Sequence, residues 1–189
     1  SSLKDKIGSD IIIVSGLAYG IDVTAHLASL DAGLRTVAVM AHGLDMVYPA
    51  QHRQTAADII KEGGAVITEY PSRTRIHRSN FLARNRIIAA LSDCTVVVES
   101  ARKGGALVTA NIAASYGRDV FAFPGRTNDE YSEGCNTLIT KNVAALITSA
   151  DDMIDLMCWE RINSKPVQQE LFIKLDSNEQ MIYDRLSAN

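Results

Sequence analysis

The chain has 189 residues, 47% of them hydrophobic, which suffices for one α/β domain with a sizeable core and a short appendage. A formal net charge of −3 argues against a protein that coats polyanions over its whole surface, so any polyanion site must be a local patch. Cys94, Cys135 and Cys158 are odd in number, far apart and without metal-ligand spacing, which argues against a disulfide framework and a metal site and for a reducing, cytoplasmic setting.

The polar start SSLKDKIGSD reads as the tail of a helix, has no signal-peptide layout and lacks an initiator Met, so the chain is expected to be a piece of a longer one. No apolar run approaches the roughly 18 residues of a membrane span. Six short β-branched runs then recur: DIIIVS at 10–15, RTVAVM at 35–40, AVITEY at 65–70, CTVVVES at 94–100, RDVFAF at 118–123 and AALIT at 144–148. Each is nearly continuous in apolar character, as expected of strands covered on both faces. Helical patterns separate them at 21–32, 51–62, 80–91, 106–116 and 134–142, with Gly33, Gly63 and Gly117 placed for left-handed caps.

This alternation predicts right-handed βαβ units in an α/β, Rossmann-like, doubly wound and mostly parallel sheet with helices on both faces. Ligands of such a sheet sit beyond the carboxyl ends of its strands. A closing helix over 150–162, with Asp151 and Asp152 in its first turn, would end the core at 162. Residues 163–173 read as a linker and 174–189 as a partial helix opening a further domain.

The loops after the strands carry the candidate site. Ser15 and Gly16 end the first run, where Gly16 permits close backbone approach, while Asp22 and Thr24 are placed to brace the loop and His26 reads as a packed histidine. The segment RTRIHRSNFLARNR, 73–86, holds Arg73, Arg75, Arg78, Arg84 and Arg86 without one acidic residue, a local electropositive surface in an acidic chain. Two readings stay open for Arg86: a contact to an anion, or an internal pair with Glu69 or Glu99.

In KGGALVTANIAASYG, Gly104 and Gly105 open a helix whose first amides could face phosphate, with Arg102 and Lys103 adding charge. In FPGRTNDEYSEGCNTLI, Arg126 and Asn136 could complete the cleft. No GxxxxGK[ST], GxGxxG or GxSxG occurs, so a P-loop, a dinucleotide fingerprint and a hydrolase elbow have no seat.

The ordered runs SGLAYGIDVTAH, GLDMVYPAQHR, ITEYP, FLARNRIIAALS, VVVESARKGGALVTANIAASYGRDVFAFPG and GCNTLI resemble the successive blocks of the DNA-processing protein A (DprA, or Smf) family over about residues 11–158. That resemblance implies an extended Rossmann domain, usually a homodimer, that binds single-stranded DNA and helps load RecA recombinase during natural transformation, with no catalytic turnover, cofactor or metal. It transfers a DNA-groove role to Arg84, Asn85, Arg86, Gly104 and Gly105. The family's first strand and basic loop would lie upstream of Ser1, and a carboxyl-terminal winged-helix domain would begin in 174–189.

Leu82 stands where the family often has proline. Two other classes compete: a nucleotide phosphoribohydrolase of the lysine-decarboxylase-like (LOG) type, and a nucleotide-sensing scaffold. The first needs an acidic group in the glycine loop's helix, and Lys103 to Arg118 contains none.

Overall fold

The computed structural model describes residues 2–8, 10–162 and 177–187. A short helix α1 (Ser2–Ile7) leads into β1 (Ile12–Ser15), α2 (Ile21–Asp31) and β2 (Arg35–Met40). A 3-10 turn at Ala50–His52 opens α3 (Arg53–Lys61), followed by β3 (Ala65–Thr68) and α4 (Arg78–Leu91). The second half runs β4 (Cys94–Val97), α5 (Gly105–Ser115), β5 (Asp119–Ala122), α6 (Glu133–Thr140), β6 (Ala145–Leu146) and α7 (Ala150–Leu156). The fold is α/β, with every strand pair parallel.

The strands are shorter than the apolar runs because ladder pairing stops where the chain turns into the carboxyl-end loops. Residues 98–100, for example, leave β4 while Val98 is still apolar and exposed. The closing helix ends at Leu156 rather than 162: Cys158 adopts φ 53° and Trp159 N–H reaches back to Ile154 O at 3.0 Å, closing the last turn. Gly33, Gly63 and Gly117, at φ 63°, 78° and 69°, take the left-handed caps their positions predict. The linker expected at 163–173 lies outside the described residues; within 174–189, Ser177–Ser187 forms α8.

The strands form two three-stranded halves, ordered β1-β2-β3 and β4-β5-β6. Each half has its own core. Leu17, Ala38, Met40, Ala56 and Ile59 close one; Val97, Ala110, Ala113, Val120, Ala122 and Leu138 lie in the other. The small side chains of α5 let it sit close on β4 and β5, and α4 joins the halves by packing on α5, β1 and β2. Among the described residues no helix is long and apolar enough to cross a membrane.

Candidate nucleic-acid interface

The carboxyl ends of β1 and β2 are tied together by one side chain from α4. Arg84 is 4% exposed. Its Nη1 donates to Gly16 O at 2.9 Å and also to Val39 O, and its Nε donates to Asn85 Oδ1 at 3.3 Å. Burial pulls the guanidinium pKa below its ordinary value, opposed by the nearby Asp22 carboxylate. Asp22 in turn accepts from the N–H groups of Gly16 at 3.1 Å and Ala18 at 3.3 Å, the loop bracing expected of it. Gly16 is required by this arrangement, because a Cβ there would lie 2.5 Å from Arg84 Nη1.

Outward from this pin lies a surface of cations and aromatic rings. Arg73, Arg75 and Arg78 are exposed on the approach to α4. Arg73 is positioned by its backbone: φ is 68° and its N–H donates to Asp45 Oδ1 at 2.7 Å, a bond that chiefly holds the Asp45 carboxyl below the usual range. Arg75 and Arg78 form no ion pair among the described residues. Tyr48, 42% exposed, leans on Phe81 at 6.1 Å, and the Phe81 ring lies 5.8 Å from Arg84 Cζ. Tyr19, 61% exposed, sets its ring edge-on to His52 at 5.0 Å and donates its hydroxyl to Gln51 at 2.8 Å.

The second half contributes the glycine loop. Gly104 N–H closes a turn on Ala101 O at 2.9 Å, and a Cβ on Gly104 would meet Ser100 Oγ at 2.1 Å. Gly105 faces open space, at the start of a helix without a side-chain cap. Lys103 is exposed and Arg102 lies 3.7 Å from Glu133, a surface pair of small worth. The loop is clasped from behind by the start of α6, where Gly134 N–H donates to Ser100 O at 2.8 Å. Gly134→Ala is therefore expected to cost about 1–3 kcal/mol by overpacking, read as a lower urea midpoint, since its Cβ would sit 2.6 Å from Ser100 O and 2.8 Å from Ala101 O.

The residues singled out from sequence thus fall into three groups. Gly16 and Arg84, both buried, form the frame of the rim with the half-buried Asn85, and Asn136 braces the Pro124–Gly125 turn through a reciprocal pair of 3.1 Å bonds with Gly125. Arg86 takes the internal pair, with Glu69 at the end of β3. Arg102, Lys103, Gly104 and Gly105 lie together on the loop after β4. Sequence reasoning did not single out Tyr48: it sits in an irregular loop with no periodicity, and only its contact with Phe81 brings it to the rim.

The family model for DNA recombination-mediator protein A matches residues 2–158. The chain belongs to this DNA recombination-mediator protein A family. It is 40% identical over 179 residues to a putative DNA processing protein DprA of Mycobacterium tuberculosis, covering 94% of this chain and 46% of that one. It is 42% identical over 146 residues to DprA of Streptococcus pneumoniae, covering 77% and 51%.

Among solved structures, the X-ray structure of Streptococcus pneumoniae DprA superposes with a TM-score of 0.72 at 40% identity, over 78% of this chain and 51% of that chain. A Helicobacter pylori DprA structure, described for its single-stranded DNA binding mode, gives 0.70 at 31% identity, over 78% and 66%. The chain spans about half the length of the curated relatives it matches.

Proposed function

We propose that this chain is the Rossmann-like core of a single-stranded DNA-binding recombination mediator, acting in the cytoplasm as a homodimer and handing DNA to RecA recombinase during natural transformation. What supports the reading is a recombination-mediator family fold in which Arg75, Arg78 and Lys103, on the segments that follow β3 and β4, are exposed and have no carboxylate partner among the described residues. Tyr19 and Tyr48 offer faces on which bases stack, worth about 1–3 kcal/mol per base in grooves of this kind. Arg102, Gly104 and Gly105 bring phosphate to the first amides of α5. Gly16, Arg84, Asn85 and Asn136 hold the rim in shape, and Arg86 contributes charge partly offset by Glu69. In this reading α8 belongs to a further domain.

Fluorescence anisotropy with single- and double-stranded oligonucleotides across a salt series tests it. Single strands should bind tighter, and converting Arg75, Arg78 and Lys103 together to Ala should lower the magnitude of the log-log salt slope by about 2, at roughly 0.7 per lost phosphate contact. An unchanged slope removes these cations from the site. Incubation with AMP should release no free base; release would move the reading to a nucleotide hydrolase.

A further inference from the structure

The loops after β1 and β2 leave neighbouring, parallel strands on the same side of the sheet, and a side-chain hydrogen bond joins them there. Tyr19, from the first loop, donates its hydroxyl to Oε1 of Gln51, in the 3-10 turn that ends the second, at 2.8 Å. His52, 8% exposed, braces the same place: its Nδ1–H donates to Leu17 O at 2.8 Å, and its ring meets the Tyr19 ring at 5.0 Å and 71°. So held, Tyr19 is still 61% exposed, and no large hydrophobic side chain among the described residues is more so. A strap between two loops needs no open ring, whereas a platform for a stacked base does.

The surroundings suit a nucleic-acid strand passing over that ring. Gly20, next in the chain, has nothing within 4 Å of where a Cβ would stand, so a sugar-phosphate backbone can come close. Arg53, two residues beyond Gln51, is exposed and forms no ion pair among the described residues. The hydroxyl bond also orients the amide. A free glutamine offers an incoming group either its oxygen or its nitrogen. Here the oxygen is engaged by Tyr19, while the two Nε2 hydrogens have no partner among the described residues. Gln51, itself exposed, thus presents its donor end beside the ring.

We propose that Tyr19 and Gln51 read one base of the bound strand and favour thymine over adenine. The inference rests on the single-stranded DNA reading given above and deepens it. A base stacked on Tyr19 brings its edge alongside the ring, within reach of Gln51 Nε2. Thymine carries carbonyls at O2 and O4, on either side of its N3–H, so an acceptor is available whichever way the base is turned. Adenine has no carbonyl, and its N6 amino group sets a donor against a donor. One hydrogen bond gained or lost at such a site changes affinity by about two- to tenfold.

Anisotropy with dT and dA homopolymers of equal length gives the ratio Kd(dA)/Kd(dT) for each protein. Free dA strands stack on themselves more than dT strands do, but that cost belongs to the DNA and cancels when ratios are compared between proteins. Tyr19→Phe keeps the ring and releases the amide, and Gln51→Leu keeps the bulk and removes the donor. Each should lower the ratio by about two- to tenfold. Gln51→Glu, whose carboxylate only accepts, should lower it further, its charge weakening both strands alike. Tyr19→Ala should weaken both strands by about fivefold or more, through loss of the stacking face. The proposal is overturned if either Tyr19→Phe or Gln51→Leu keeps the wild-type ratio while the wild type binds single strands, and the DNA-binding reading then stands without it. If the wild type binds neither homopolymer, that reading fails and the proposal falls with it.

Discussion

Arg84→Ala is expected to lower the unfolding free energy by about 3–5 kcal/mol, a large share of the 5–15 kcal/mol typical of a domain. Three charged hydrogen bonds disappear, and the carbonyls of Gly16 and Val39 are left without this donor in a region where Val39 is 0% exposed. A cavity the size of the side chain adds to the cost. Arg84→Lys keeps the charge but loses the planar fork that reaches two strands, so it should fall between wild type and Ala. Urea denaturation measures all three.

The same variant separates a frame residue from a DNA contact. If Arg84 touched phosphate directly, Ala would flatten the salt slope of DNA binding and barely move the urea midpoint. The expected pattern is the reverse: the midpoint falls and, at temperatures where the variant stays folded, the slope holds. Gly16→Ala attacks the same contact from the other side, with a Cβ 2.5 Å from the guanidinium. Because the two changes share one interaction, the double variant should be destabilised by less than the sum of the singles.

The alternating apolar runs and glycine-closed helices made the order of elements readable, because parallel strands buried on both faces need continuous apolar residues and helices between them need caps. The family was readable for a different reason: six motif blocks in fixed order are far more specific than any one glycine loop. What sequence did not reveal is direction. RTRIHRSNFLARNR reads as one basic patch, yet the helical turn sends Arg84 inward to two carbonyls, brings Arg86 to Glu69 and leaves Arg75 and Arg78 facing water. Asn136 looked like a spare donor until its amide proved committed to the Gly125 turn. The division into two half-sheets was also hidden, since strand runs do not announce which edges pair.

Stability should fall by about 3 kcal/mol as pH drops from about 7 to about 4, through one histidine on α2. His26 is 0% exposed, and burial pushes its pKa from 6.5 down to about 4, with Asp22 opposing and His52 adding to the shift. The geometry explains the direction. Thr36 donates its hydroxyl proton to Ile13 O at 2.7 Å, so its oxygen accepts from His26 Nδ1–H at 2.6 Å, and Nε2 must carry the lone pair. That Nε2 has no partner among the described residues, so a proton added there would meet no acceptor among them. The unfolded chain takes up this proton near pH 6.5 and the folded one only near pH 4. Unfolding is therefore favoured progressively across that window, and the loss levels off below it. Asp45, Asp151 and Asp152, whose carboxyls are held below the usual range by donors, lose their contribution at still lower pH, so the two effects separate. Urea midpoints at intervals from pH 4 to 8 should slope steeply in wild type. In His26→Gln, which keeps an amide for Thr36 but cannot titrate, the midpoint should be lower at pH 7 and nearly flat with pH; equal slopes in the two proteins would assign the dependence to other groups.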